Sequence, residues 1–320
     1  MTLSHNEKLR IDICVCTFRR PFLAETLKSI SNLNCGELAI RVIVADNDFV
    51  PSAAPMVELI GRGFPFPIVY LHAPETNISV ARNACADAAD ADFIAFVDDD
   101  ETVEADWLRE LVDAAVFAGA DVVLGPVHAE YAAEAPSWMR DGDFHSTRPV
   151  LVGGEIRTGY TCNVLMRWTE AARSQRFNLA LGRSGGEDTE FFYRLHDLGL
   201  RFIEAPAAIV REPVPPSRAT LSWLLRRRFR SGQTHGARLL TLGEPLAPAL
   251  VLASAKVAYC IAATVVTLPW PVRWRGNLLR ATLHLGALSG LAGSRQAELY
   301  GDAPVATPHS VPAITAAPIN

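Results

Sequence analysis

Residues 93–101 read FIAFVDDDE: five apolar residues, then four acids in a row, Asp98, Asp99, Asp100 and Glu101. An unbroken apolar run of this length reads as a buried strand. Adjacent like charges raise one another's pKa values, so an unpartnered cluster is a local cost. Two readings account for it. One is a solvated turn before a helix whose first-turn acids suit the helix dipole; Glu101, Glu104 and Asp106, just ahead of WLRELVDAAV, fit that reading. The other is a cation site.

The neighbouring chain bears on the choice. IDICVCT (11–17) is a strand, and Pro21 opens a helix with Leu23, Leu27 and Ile30 on one stripe. AIRVIVAD (39–46) and PIVYLH (67–72) are further strands, SVARNACADAAD (79–90) is a short helix, and DFIAFVD (92–98) is the fourth strand. A helix from about residue 104 to 118 follows, then the strand ADVVLGPV (120–127). Continuously apolar strands separated by helices predict an α/β fold, a mostly parallel, Rossmann-like sheet with helices on both faces. Ligands of such sheets collect at the carboxyl ends of the strands. The second strand ends in Asp46-Asn47-Asp48 and the fourth in Asp98-Asp99-Asp100, so two acidic endings share the ligand-bearing edge. Alternation along extended backbone would put Asp98 and Asp100 on one side and Asp99 on the other. Hard oxygen donors of this kind suit Mg²⁺ or Mn²⁺, which bind through one or two carboxylates plus substrate phosphates.

The charge is unevenly spread. Residues 1–210 carry 18 Lys/Arg against 31 Asp/Glu, and residues 211–320 carry 12 against 4. A basic last third calls for an anionic partner, a membrane surface or nucleic acid. The six cysteines form no C-x-x-C pair, and Cys14 and Cys16 share one face of a buried strand as small hydrophobes. With a polar start, MTLSHNEKLR, the chain reads as cytoplasmic and reduced.

Residues 128–157 read as loop, and GYTCNVLMRW (159–168) as another strand. In GGEDTEFFYRLHDLGL (185–200) two glycines precede a helix with Phe191, Leu195 and Leu198 on one stripe, and Gly199 closes it. Glu187 and Asp188 sit at its start, where acids are ordinary and where an Asp at a cleft rim can also act as a general base. Beyond residue 220, Arg226, Arg227, Arg228 and Arg230 crowd one helix, and ALVLASAKVAYCIAATVVTL (249–268) holds twenty residues with one charge, Lys256. That length just spans a bilayer, but a mid-segment Lys is costly there, and Trp270, Arg273, Trp274 and Arg275 resemble an interfacial anchor. Interfacial attachment is the expectation, with a single span or a packed helix hairpin as alternatives. The tail from Gly301, rich in Pro and Ala, is expected to be disordered.

CTFRRP, ADND, NISVARN, FVDDDE and GGEDTEFFYRL occur in an order that resembles the GT-A domain of family 2 glycosyltransferases over about residues 11–235. The first motif and RRRFRSGQTHG are most similar to bacterial exopolysaccharide glucosyltransferases of the succinoglycan type. The resemblance implies a GT-A domain over 1–210, with a nucleotide-sugar half (1–127) and an acceptor half (128–210). A basic and apolar helical region (211–300) would follow, with the tail 301–320. It implies that Thr17, Arg19, Asp46, Arg82, Asp98 and Asp99 bind a UDP-sugar donor and that Asp100 holds Mg²⁺ or Mn²⁺. Asp188 would be the catalytic base and Glu187 would bind the acceptor, a lipid-linked oligosaccharide, on the cytoplasmic side of the bacterial inner membrane. Transfer, of glucose, would invert the anomeric carbon. The Gln-x-x-Arg-Trp motif of processive members is absent, which predicts transfer of a single sugar.

Other classes lack their marks. No G-x-G-x-x-G follows an early strand, no P-loop is present, and the first loop is not the Gly-rich loop of nucleotidyltransferases. An EF-hand starting at Asp46 fails because its sixth position is Pro51 rather than Gly. The apolar run directly after the arginines favours an anionic membrane surface over nucleic acid.

Overall fold

The computed structural model describes residues 8–243, 245–294 and 316–318. In chain order the elements are β1 (Arg10–Thr17), α1 (Leu23–Ser31), β2 (Ala39–Asp46), α2 (Ala54–Gly61), β3 (Ile68–His72), α3 (Ile78–Ala88) and β4 (Phe93–Asp98). Next come β5 (Thr102–Val103), α4 (Trp107–Ala118), β6 (Val122–Leu124), β7 (Val127–Tyr131), α5 (Ser137–Gly142), β8 (Leu151–Val152) and β9 (Glu155–Ile156). Then follow β10 (Asn163–Arg167), α6 (Glu170–Arg173), α7 (Glu187–Asp197), β11 (Phe202–Glu204) and β12 (Val210–Val214). The last are α8 (Leu221–Thr241), α9 (Leu246–Val266), α10 (Pro271–Leu291) and β13 (Ala316–Pro318).

The chain forms two units, one of Met1–His128, Thr147–Glu212 and Leu299–Asn320, the other of Ala129–Ser146 and Pro213–Glu298. The first is built on an eight-stranded sheet in the order β11-β6-β10-β4-β1-β2-β3-β13. Pairings β1–β2, β1–β4, β2–β3 and β6–β11 are parallel, and β10 runs antiparallel between β4 and β6. Alternation along the strands feeds two cores. Ile11, Ile13 and Val15 of β1 and Phe93, Ala95 and Val97 of β4 pack on one face with Leu23, Leu27 and Ile30 of α1 and Trp107 of α4. Cys14, Ile94 and Phe96 face the other way, onto Ala81 and Cys85 of α3 and Phe191 and Leu195 of α7.

This parity positions the site. Register aligns Thr17 with Asp46 and Cys16 with Asp98, so three strands end together. Thr17 and Asp46 continue the face of α1, whereas Asp98, two residues past Phe96, continues the face of α3 and α7.

Two local expectations change. ADVVLGPV is broken into β6 and β7 at Gly125-Pro126, because Pro126 has no N–H for a ladder and a Cβ on Gly125 would lie 2.4 Å from the Ala208 carbonyl oxygen. Residues 128–157 are not all loop. They contain α5 and the β8–β9 hairpin, turned by Gly153 and Gly154 at φ 64° and 87°, the positive values a two-residue hairpin turn needs. The tail 301–320 lies outside the described residues, except for β13, antiparallel to β3.

In the second unit α8 and α10 pack through glycine. A Cβ on Gly232 would sit 1.9 Å from the Leu283 carbonyl oxygen, and one on Gly286 would sit 2.0 Å from that of Phe229. With Gly236 and Gly290, each helix carries a G-x-x-x-G face that lets the two backbones touch. α9 is different. It is long and apolar enough to cross a membrane, and only 11% of its apolar window is buried.

Candidate active site

The strand β4 ends at Asp98, and residues 99–100 turn. The expected alternation therefore stops there, and each acid finds its own partner. Asp99 is buried, accepting from Thr17 Oγ1 at 2.7 Å and from Arg20 Nε at 3.2 Å. Asp100 meets Arg20 Nη1 at 3.2 Å. Asp98 faces α3, with Arg82 Nη2 3.9 Å from its Oδ1.

Glu101 is not a solvated first-turn acid. It is 1% exposed, and its Oε2 accepts the backbone N–H of Asp98 at 2.9 Å, closing the turn from inside. Glu104 accepts from Arg211 Nε, and α4 starts only at Trp107. Burial pushes the Glu101 carboxyl well up, and Asp98 and Glu212 add to the rise.

Burial also pushes Asp98 up to about 7, against the pull of Arg82; two-fifths of its side chain faces solvent, which tempers that rise. Asp99 is pushed up to about 6 by burial, with Arg20 and Thr17 opposing. The acids at this edge are thus poorly solvated and short of positive charge, a state that a bound cation relieves. Among the described residues no three His, Cys, Asp or Glu side chains converge closely enough to hold a metal alone. Asp98 and Asp100 offer the small hard-oxygen set that Mg²⁺ and Mn²⁺ complete with phosphate and water.

The second acidic ending does something else. Asp46 is fully buried: Oδ1 accepts from Asp48 N, and Oδ2 from Ala53 N and Tyr70 Oη, at 2.8–3.0 Å. It organises the loop after β2. Arg19 grips Asp48 with two 2.8 Å bonds and holds its carboxyl below the usual range. Asn47 ties the same loop to Ala73 and Asn77, and Asn77 caps α3 through Ser79 N.

Arg82, on the first turns of α3, joins the distant motifs. It is buried, pairs with Glu187 of α7, and reaches toward Asp98. Glu187 spends one oxygen on Arg82, while its buried Oε2 has no partner. Gly185 and Gly186 precede it at φ 84° and 93°, a backbone that glycine alone adopts freely. Asp188 is half-buried, and its Oδ1 accepts from Thr189 N at 2.6 Å.

Every sequence-predicted residue therefore lies along one strand edge or on the helices beside it, with Arg82 linking β4 to α7. Sequence reasoning missed Arg20, Asp48 and Glu101 as members. The CTFRRP and DDDE motifs contained Arg20 and Glu101, but which arginine meets which acid is a matter of register.

Residues 12–169 match the model of the family described as Glycosyl transferase family 2. Over 300 residues the chain is 53% identical to the succinoglycan biosynthesis protein ExoM of Rhizobium meliloti, spanning 92% of this chain and 97% of the relative. It is 25% identical over 259 residues to the glucosyl-dolichyl phosphate glucuronosyltransferase of Haloferax volcanii, spanning 75% and 80%. The mannosyltransferase PcManGT of Pyrobaculum calidifontis, solved with GDP-Man and Mn²⁺, superposes with a TM-score of 0.59 at 17% identity over 90% of this chain and 89% of that one. S. aureus TarS 1–349 gives 0.50 at 15% over 91% and 98%. The two structures share the GT-A fold with this chain, and the 53% relative extends the likeness to its sequence. A mostly parallel sheet, acids at its carboxyl edge and that identity over nearly the whole length agree: the chain belongs to glycosyl transferase family 2.

Proposed function

We propose that this chain transfers a single sugar, glucose, from a UDP-sugar to a hydroxyl of a lipid-linked oligosaccharide in exopolysaccharide assembly, with inversion at the anomeric carbon. The observation that carries the reading is the 53% identity, over 92% of the chain, to a succinoglycan biosynthesis protein.

The residues divide the work in a chemically sensible way. Asp188 takes the proton from the attacking acceptor hydroxyl; the Thr189 amide and hydroxyl both donate to its Oδ1 and orient the carboxylate. Glu187 Oε2, buried and unpaired, is an acceptor for a hydroxyl of the incoming sugar. Thr17 and Asp99 bind the nucleoside, and Asp46 and the Arg19–Asp48 pair hold the shape of the base loop. Arg82 keeps Glu187 and Asp98 in register. Asp100, with Asp98 beside it, would hold Mg²⁺ or Mn²⁺, which when bound neutralises charge on the departing nucleoside diphosphate. Residues 211–300 keep the enzyme at the cytoplasmic face of the inner membrane, where the exposed apolar α9 and the arginines of α8 meet an anionic leaflet.

The test is incubation of purified protein and membranes with a panel of labelled nucleotide sugars, with and without Mn²⁺. Label from UDP-glucose should enter the lipid fraction only with metal. Transfer from another donor would correct the sugar, and label that lengthens into polymer would overturn single transfer.

A further inference from the structure

Within the second unit, α8, α10 and the chain after α5 line a half-open cavity of about 530 Å³, in the ~300–1,000 Å³ range of small-ligand sites. Its wall carries three arginines from two helices, Arg228, Arg273 and Arg280, with Asn277 and Thr267 between them. The wall also holds one carboxylate, Asp143, which accepts from Ser146 Oγ. Among the described residues no ion pair satisfies Arg228, Arg273 or Arg280. Arg228 is half-buried, and burial, with Arg227 and Arg280 nearby, lowers its pKa. Cations gathered this way repel one another unless an anion joins them. The planar guanidinium fork matches phosphate oxygens.

The cavity's place says which anion. Thr267 caps the C-terminus of α9, and Thr267 and Val272 both line the wall. α9 is about 31 Å long and exposes Val251, Leu252, Ile261, Val265 and Val266. Arg273 thus stands at the α9–α10 turn, with Arg280 further along α10 and Arg228 on the α8 wall. The cavity so reaches the end of an uncovered apolar helix, where a lipid's headgroup lies when its chains lie along that helix.

We propose that this cavity binds the phosphate or diphosphate of a membrane lipid, through Arg228, Arg273 and Arg280. The inference rests on the membrane reading above but adds a specific, saturable site to it. A lipid phosphate here would hold the protein by chemistry rather than by diffuse charge. It can come from a prenyl diphosphate or from a bulk anionic phospholipid.

The experiment is calorimetric titration of the full chain in a neutral detergent, with UDP and Mn²⁺ present to fill the transferase cleft. The titrants are farnesyl diphosphate, dihexanoyl phosphatidylglycerol and inorganic pyrophosphate. One-site binding of a lipid phosphate is expected, weakened about tenfold by Arg228→Gln, the scale of one lost charge-assisted contact. Gly276→Leu should do the same without touching charge, since Gly276 lines the cavity and an added Cβ meets only Phe144, at 3.7 Å. Arg226→Gln removes an equal charge from an exposed position of the same helix and should change affinity by less than about twofold. Tighter binding of farnesyl diphosphate identifies a prenyl diphosphate, and tighter binding of phosphatidylglycerol identifies bulk lipid. Pyrophosphate binding as tightly as either lipid would overturn a lipid site. So would the absence of saturation, or equal losses in Arg226→Gln and Arg228→Gln. Liposome flotation of the same proteins reports membrane attachment separately, so a failure of that reading is told apart from a failure of the site.

Discussion

Asp188 stands at the first turn of α7, half-buried, with its Oδ1 fixed by Thr189. If it is the base, Asp188→Asn keeps the volume and those bonds but cannot take a proton. Turnover should fall by about 10²- to 10⁴-fold, while donor affinity, measured by calorimetry with a nucleoside diphosphate, stays within a few-fold. Loss of donor binding with turnover preserved at saturation would move the residue out of the base role. Much of this site was legible in the chain, because acids after a buried strand and after a Gly-Gly pair are local patterns. What was not legible is the partnering. Arg19 and Arg20 are adjacent, yet one serves Asp48 and the other Asp99 and Asp100. Arg19 has a positive φ, 51°, and that backbone twist sends neighbouring side chains to different strands.

At the scale of elements, two devices in the second unit make predictions. His145 is buried; its Nδ1 accepts from Tyr131 Oη at 3.0 Å, its Nε2–H donates to the Arg218 carbonyl at 3.1 Å, and Trp223 stacks on the ring. Both nitrogens are satisfied only in the neutral form. Burial, helped by Arg227, lowers its pKa to about 4. Between that value and the ordinary 6.5 the unfolded chain binds the proton that the folded chain refuses, so stability falls as pH drops through this window. The melting temperature should therefore decline from pH 7 to pH 4.5 more steeply in the wild type than in His145→Gln; parallel curves would show that the ring titrates freely. The second device is the glycine contact of α8 and α10. Gly286→Ala forces the helices apart and should cost about 1–3 kcal/mol, despite the ~1 kcal/mol that Ala gains in helix propensity. Gly276→Ala has room and should stabilise by up to that ~1 kcal/mol. A rise in melting temperature for both would mean that the backbones do not touch. The G-x-x-x-G spacing was present in the sequence at 232/236 and 286/290, but spacing does not say which two faces meet.

For the whole molecule, the test is attachment. Flotation with anionic liposomes should carry the intact chain, and a chain truncated after Arg238 should float markedly less. Release by high salt would assign the binding chiefly to the arginines, each contributing about 1 kcal/mol near an anionic leaflet. Release only by detergent would assign it to α9. Equal flotation of the two chains would reduce the helices to ordinary packing. Lys256 belongs to this question: burial, with the Lys256 charge adding to it, lowers the pKa of His235 on α8 and His284 on α10, so that charge is felt on the side of the protein.

The sequence by itself determined the layered α/β architecture, the acidic edge and the apolar helix. Those follow from periodicity and from which residues can be buried, and both are properties of short stretches. Only the tertiary structure decided that Asp46 organises a loop, that Glu101 closes the acidic turn from inside, that Arg82 joins β4 to α7, and that three arginines from α8 and α10 share one cavity. Each depends on strand register or helix rotation between segments tens of residues apart. A single-residue slip would reverse every strand facing, and the packing of the core, rather than any local motif, holds that register.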